Sequence, residues 1–114
     1  MTLPADVRQA AVAQVERYCE TRVPEDMRSD VRIERNVRGN AITIVERRPP
    51  WRDDLGPEWS STKVAQLRYD GANWSLYCSD SSGRWWRYDE AAPARDVAPL
   101  LAAIDEDVTG IFWG

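Results

Sequence analysis

The sequence predicts an α+β domain with an N-terminal helix, a five-stranded and mainly antiparallel sheet, and a C-terminal helix. Three observations predict it. Apolar residues recur at helical spacing near both ends of the chain. Between them, five short runs alternate apolar and polar residues with a period of two. Those runs are separated by Gly39-Asn40, by the long stretch before Val64, by Asp70–Asn73 and by Ser79–Gly83, all rich in turn formers. At 114 residues the chain fits one domain, 1–114, with one core.

The first helix begins near Thr2 or Leu3, with Pro4 suited to its first turn and Asp6 favourable to its dipole. Val7, Ala11, Val15, Tyr18 and Cys19 share one face, flanked by Leu3 and Val12. Val23-Pro24 ends the helix, because a residue before proline avoids helical torsion angles. A hairpin follows, turning at Gly39-Asn40, where glycine in first place suits a type II′ turn. Pairing Arg38 with Ala41 places Ile33, Val37, Ile42 and Ile44 on one face. Arg35 and Glu46 intrude on that face as diagonal neighbours and are expected to pair.

The meander runs through Val64–Tyr69, Trp74–Cys78 and Arg84–Tyr88. Pairing Tyr69 with Trp74 lines up Ala65, Leu67, Tyr69, Trp74, Leu76 and Cys78 on one face. A five-residue loop, Ser79–Gly83, then sets Leu76 opposite Trp86, whereas a four-residue loop would bring Arg87 beside Leu76 and invert the face. The opposite face then shows Gln66, Arg68, Ser75, Tyr77, Trp85 and Arg87. The hairpin and the meander are expected to form two parts of a split sheet. In the last helix, Asp96 is the expected cap and Val97, Leu100, Leu101 and Ile104 form the apolar stripe. Asp105, Glu106 and Asp107 sit unfavourably at its C-terminal end, and Ile111–Trp113 is expected to dock back on the sheet.

Composition narrows the chemistry. The net charge of −4 supplies no global basic field for nucleic acid. The charge is nonetheless uneven: seven arginines against three acids from Arg28 to Arg52, then six acids against Arg95 from Asp89 to Asp107. With no histidine, the chain lacks Ser-His and Cys-His nucleophile pairs and imidazole metal ligands. Cys19 and Cys78 have no metal-site spacing and read as small core residues of a reduced, cytoplasmic protein. The N-terminus has no apolar run, so no secretory leader is expected, and no stretch approaches the length of a membrane span.

Four groups of residues are candidates for function. The face Arg68, Tyr77, Trp85, Arg87 interleaves cations with rings, which can hold phosphates and stack bases. Glu46 on an apolar face is a candidate general base, with a structural ion pair as the rival reading. The stretch Val45–Trp59, VERRPPWRDDLGPEW, is the longest irregular segment. There Arg47, Arg48 and Arg52 surround Trp51, Trp59 follows, and Asp53, Asp54 and Glu58 lack any metal-loop pattern. It is read either as a binding rim or as a loop pinned to the core by its two tryptophans, with arginine–carboxylate pairs inside it. Ser60, Ser61, Thr62, Ser81 and Ser82 have no visible base partner.

At Val45–Trp51, Gly56–Trp59, Val64–Tyr69, Gly83–Trp85 and Thr109–Gly114 the chain resembles the bacterial domain of unknown function 3024 family. The resemblance covers nearly the whole chain. It implies an intact domain in a bacterial cytosolic setting and brings no assigned activity or catalytic residue. Cys78 stands where relatives are expected to carry an aromatic.

These readings give a leading expectation of a non-enzymatic interaction module that uses loop 47–59. Its expected partner is a protein or a second copy, with no cofactor and no metal. Trp and Arg, the residues concentrated there, are enriched at binding hot spots. The alternatives are an RNA-binding or histidine-free RNA-cleaving protein using the Arg/aromatic sheet face, and a structural homo-oligomer subunit. Whether that face is open or covered decides the weight of both alternatives.

Overall fold

The computed structural model describes residues 3–113, without the side chain of Asp53; Thr2 at the expected helix start and Gly114 in the tail lie outside them. Helix α1 spans Ala5–Arg22 and buries Ala11, Val15 and Cys19, the face its spacing predicts. Pro4 stands just before it, where a missing N–H costs nothing. Strands β1 (Arg32–Arg38) and β2 (Ala41–Arg48) form the hairpin, with Arg38 opposite Ala41 as expected. Gly39 has φ 60°, and no positive φ occurs at Asn40, as a glycine-first turn requires.

β3 (Ser60–Tyr69), β4 (Trp74–Ser79), β5 (Trp85–Arg87) and α2 (Ala98–Glu106) complete the order. The sheet is one antiparallel surface in the order β1-β2-β3-β4-β5 and does not split. The physical reason is that β3 begins four residues earlier than expected, at Ser60, so that it pairs with β2 all the way from Arg48 to Ala41. A bulge between Ile44 and Val45 of β2 leaves Val64 of β3 without an opposite residue. Val64 and Ala65 are both buried in the core, as an extra residue in one strand allows.

The β4–β5 register differs from the expected one by two residues. Cys78 lies opposite Trp86, and Leu76 accepts the amide of Tyr88 at 2.8 Å. The turn is shifted one residue along the chain, and Asp80 closes it. Its Oδ1 accepts from the amides of Ser82 and Arg84 at 2.9 Å each, and its Oδ2 accepts from the Trp86 indole at 2.8 Å. A shift of two keeps every side chain on its predicted face.

Both helices cover the same side of the sheet. Val15, Cys19, Leu100 and Ile104 share one buried cluster with Ile42, Ile44, Leu67, Trp74 and Leu76. Asp96 does bond an early helical amide, Ala98 N at 3.3 Å, but the N-cap position is Val97 and α2 starts at Ala98, two residues beyond Asp96. The acidic end of α2 is used rather than tolerated. Asp105 meets Arg22 at 3.6 Å, and the Asp107 carboxylate accepts the amides of Phe112 and Trp113. That turns the tail back, and Phe112 packs on Tyr88 with ring centroids 4.9 Å apart. Among the described residues no helix is long and apolar enough to cross a membrane.

Candidate functional site

Alternation along the strands puts a second set of side chains on the side away from the helices. They fall in four rows across the strands. Arg32, Arg47 and Ser61 form the first, and Glu34, Val45 and Lys63 the second, beside Ser79 and Trp85. Asn36, Thr43, Gln66, Tyr77 and Arg87 form the third; Arg38, Ala41, Arg68 and Ser75 form the fourth. Six cations thus face one carboxylate, Glu34, on a chain whose net charge is −4. No described helix lies over this face: Arg38, Lys63 and Arg87 are exposed, Tyr77 and Trp85 half-buried, and Val45 alone is buried.

The rows differ in how far their charges are satisfied. At one end, Arg47 meets Glu34 at 3.4 Å and the Trp59 carbonyl at 3.4 Å, while the Arg32 guanidinium lies over the Trp59 ring. At the other end, Arg38, Arg68 and Arg87 form no ion pair among the described residues. Arg68 is also held in place. Thr43 Oγ1 accepts from Gln66 Nε2 at 2.8 Å, and Gln66 Oε1 accepts from Arg68 Nε at 2.6 Å. The Arg68 guanidinium then lies 4.0 Å from the Tyr77 ring centroid, and Lys63 Nζ 5.5 Å from that of Trp85. Each ring on this end therefore carries a cation beside it.

The loop candidates divide. Trp51 is 80 % exposed and Leu55 49 %, so Trp51 does not pin the loop to the core. Trp59 is half-buried under Arg32. The loop arginines are neutralised within the chain. Arg48 bonds Glu46 at 2.9 Å, and Arg52 grips Asp54 with two hydrogen bonds at 3.0 and 3.1 Å while stacking on Trp51. Asp53, an acid considered there, lies outside the described side chains.

Glu46 and Arg35 do not pair with each other. α1 crosses β1 and brings Glu16 to Arg35, which leaves Glu46 to Arg48. Glu46 lines a shallow groove of about 230 Å³ with Met27, Ile33 and Trp113, its carboxylate occupied by the guanidinium. Ser60, Ser61 and Thr62 belong to β3, and Ser60 Oγ donates to the Arg48 carbonyl. Burial pushes the Cys19 thiol up to about 12, which makes it inert as a nucleophile. Burial also raises the Cys78 thiol. Among the described residues no group of three or more acidic or thiol side chains is placed to hold a metal ion.

The residues missed by sequence reasoning are Arg38 and Lys63. Arg38 alternates correctly in β1, but Lys63 reaches the face of Gln66 and Arg68 only through the bulge at Val64, and the β2–β3 pairing brings both onto one surface with Arg68 and Trp85.

The chain matches the family described as Domain of unknown function (DUF3024) over residues 3–114, and it belongs to that family. No curated protein and no solved structure matches it.

Proposed function

We propose that this chain is a non-catalytic binding module whose working surface is the outer face of the sheet and whose ligand is a polyanion. One observation carries the reading: Arg38, Arg68 and Arg87 lie on an uncovered face without an ion-pair partner among the described residues. With no described carboxylate in ion-pair contact, these cations can take a ligand anion at lower cost, and Asp70 acts on Arg87 only through space. The arginines of loop 47–59 would first have to release their own carboxylates or carbonyls.

Retention on immobilised heparin at low salt tests it. A chain of net charge −4 has no reason to bind there except through a local patch. The native protein should be retained, and Arg68→Glu with Arg87→Glu should flow through while staying folded, its thermal midpoint lowered by only about 5–10 °C for the lost Arg68 contacts. Flow-through of the native protein at low salt refutes the reading.

A second reading keeps loop 47–59 as a protein contact, because Trp51 and Leu55 project into solvent. Exposed apolar side chains of that size on an ordered loop suit a partner surface or a second copy. Light scattering over a concentration series, with Trp51→Ala as the control, separates it from the first.

A further inference from the structure

We infer that the polyanion is single-stranded nucleic acid, with bases stacked at Tyr77 and Trp85 and phosphates on Arg38, Arg68 and Arg87. This rests on the polyanion reading and narrows it. Charge alone does not choose among polyanions; the rings do. A nucleotide offers a flat π face and, next to it, a phosphate. At Tyr77 the ring and the Arg68 guanidinium stand 4.0 Å apart, and Trp85 has Lys63 at 5.5 Å. Ring and cation therefore lie at one place: the Arg68 guanidinium covers the Tyr77 face and offers its own plane to a base, while Lys63, which also donates to the Gly83 carbonyl at 3.0 Å, stands beside Trp85. A guanidinium plane also stacks on bases, so Arg68 over Tyr77 extends the platform.

Three further features fit a flexible strand. Tyr77 and Trp85 are diagonal neighbours on β4 and β5, roughly 7–8 Å apart at the backbone, a step that an unstacked strand can match. The face is five strands wide, roughly 20 Å, broad enough for an extended strand to cross. Arg68 is pre-oriented through Gln66 and Thr43, so it has less rotamer freedom to lose on binding. A duplex keeps its bases inside and gives the rings nothing to stack on, and an acidic peptide uses the cations while leaving the rings idle.

The test is fluorescence anisotropy of the full chain with labelled oligouridylate, oligothymidylate and a duplex of the same length. Either single strand should bind more tightly than the duplex; a preference for the uridylate would add a contact to the ribose hydroxyl. Tyr77→Ala and Trp85→Ala should each weaken single-strand binding about fivefold to a hundredfold, the range of one stacking contact. Heparin retention should stay as in the native protein. Tyr77→Phe, which keeps the ring, should bind as the native protein does, and so separates stacking from misfolding. The salt dependence should have a slope of roughly −0.7 per phosphate engaged, and Arg68→Gln should remove about one such increment.

Equal affinity for strand and duplex, with the ring variants unchanged, overturns the inference while leaving the polyanion reading in place. So does heparin retention without oligonucleotide binding. A dimer dispersed by Arg68→Glu and unaffected by excess oligonucleotide also overturns it, and assigns the face to a second copy.

Discussion

The two faces of the sheet are made by the same strands and obey opposite rules. The inner face carries Ile42, Ile44, Leu67, Trp74 and Leu76, all almost fully buried beneath two helices. Its two charged intruders, Arg35 and Glu46, each find a partner, at Glu16 and Arg48. The outer face carries six cations and one acid, with rings that are only half-buried. Hydrophobic burial fixes the first set. Nothing in the fold requires the second. A sheet that needed only a solvated back could mix its charges, as Arg47 and Glu34 do. The excess of unpaired arginine at the other end is where stability and binding separate.

The sharpest way to break that comparison is to delete one ring from each face. Trp74 is 1 % exposed and packs on Tyr69 with ring centroids 5.1 Å apart. Trp74→Ala should cost about 3–5 kcal/mol, enough to unfold many domains of this size. Trp85→Ala should cost less, about 1–3 kcal/mol, since the ring is only partly buried and gives up a cation–π contact at the surface. Urea denaturation measures both. Equal losses would mean that the outer rings belong to the core and would remove the basis for a binding face.

Much of this architecture was legible in the sequence, for reasons that can be assigned. The β1–β2 register follows from Gly39-Asn40, because that turn fixes the pairing and the alternation confirms it. The inner and outer faces of β3 from Ala65 on, and of β4 and β5, follow from alternation as well. The bulge at Val64 does not, nor does the position of the β4–β5 turn, since a shift of two residues leaves alternation unchanged. The deciding information is the Asp80 carboxylate, which gathers the turn amides and the Trp86 indole, a three-dimensional contact with no periodic signature. The Ser82 hydroxyl, which donates to Asp80 Oδ1 at 2.6 Å, and then these bonds hold the Asp80 carboxyl well below the usual carboxylate range. The Arg35 partner failed for a related reason. Strand pattern places Arg35 near Glu46, but the packing of α1 across β1 supplies Glu16. The candidate site was half legible: Arg68, Tyr77, Trp85 and Arg87 were visible on one face, while Arg38 and Lys63 needed the β2–β3 pairing.

The inner side should also respond to alkali. Burial, with a smaller contribution from Asp105, raises the Tyr18 hydroxyl from 10.0 to about 12, and burial raises the Cys19 thiol from 9.0 to about 12. Below about pH 9 both groups keep their protons in the folded and the unfolded chain, so they do not affect the balance. Between about pH 9 and 12 the unfolded chain releases protons that the folded chain retains, and unfolding is favoured. The urea midpoint should therefore fall as pH rises through this window, with Cys19→Ala showing a shallower fall. A midpoint that stays level from about pH 8 to 11 would show that both groups are hydrated in the folded protein.

The smallest expected effect concerns Trp51, and its smallness is informative. A tryptophan is a large ring, and inside a core its loss is among the costliest single changes. At 80 % exposure, with the Arg52 guanidinium on its ring and that arginine already bonded twice to Asp54, it has little packing to lose. Trp51→Ala should change stability by no more than about 0.5 kcal/mol and leave heparin retention as in the native protein. Two departures separate the competing accounts of the loop. A loss of 2 kcal/mol or more, on the order expected of a buried ring, would make the loop part of the architecture after all. A stable variant that loses concentration-dependent self-association would make Trp51 the anchor of a protein contact, independent of the sheet face. Unchanged stability, unchanged retention and no self-association in either chain would leave the outer face as the surface where the unpaired arginines act.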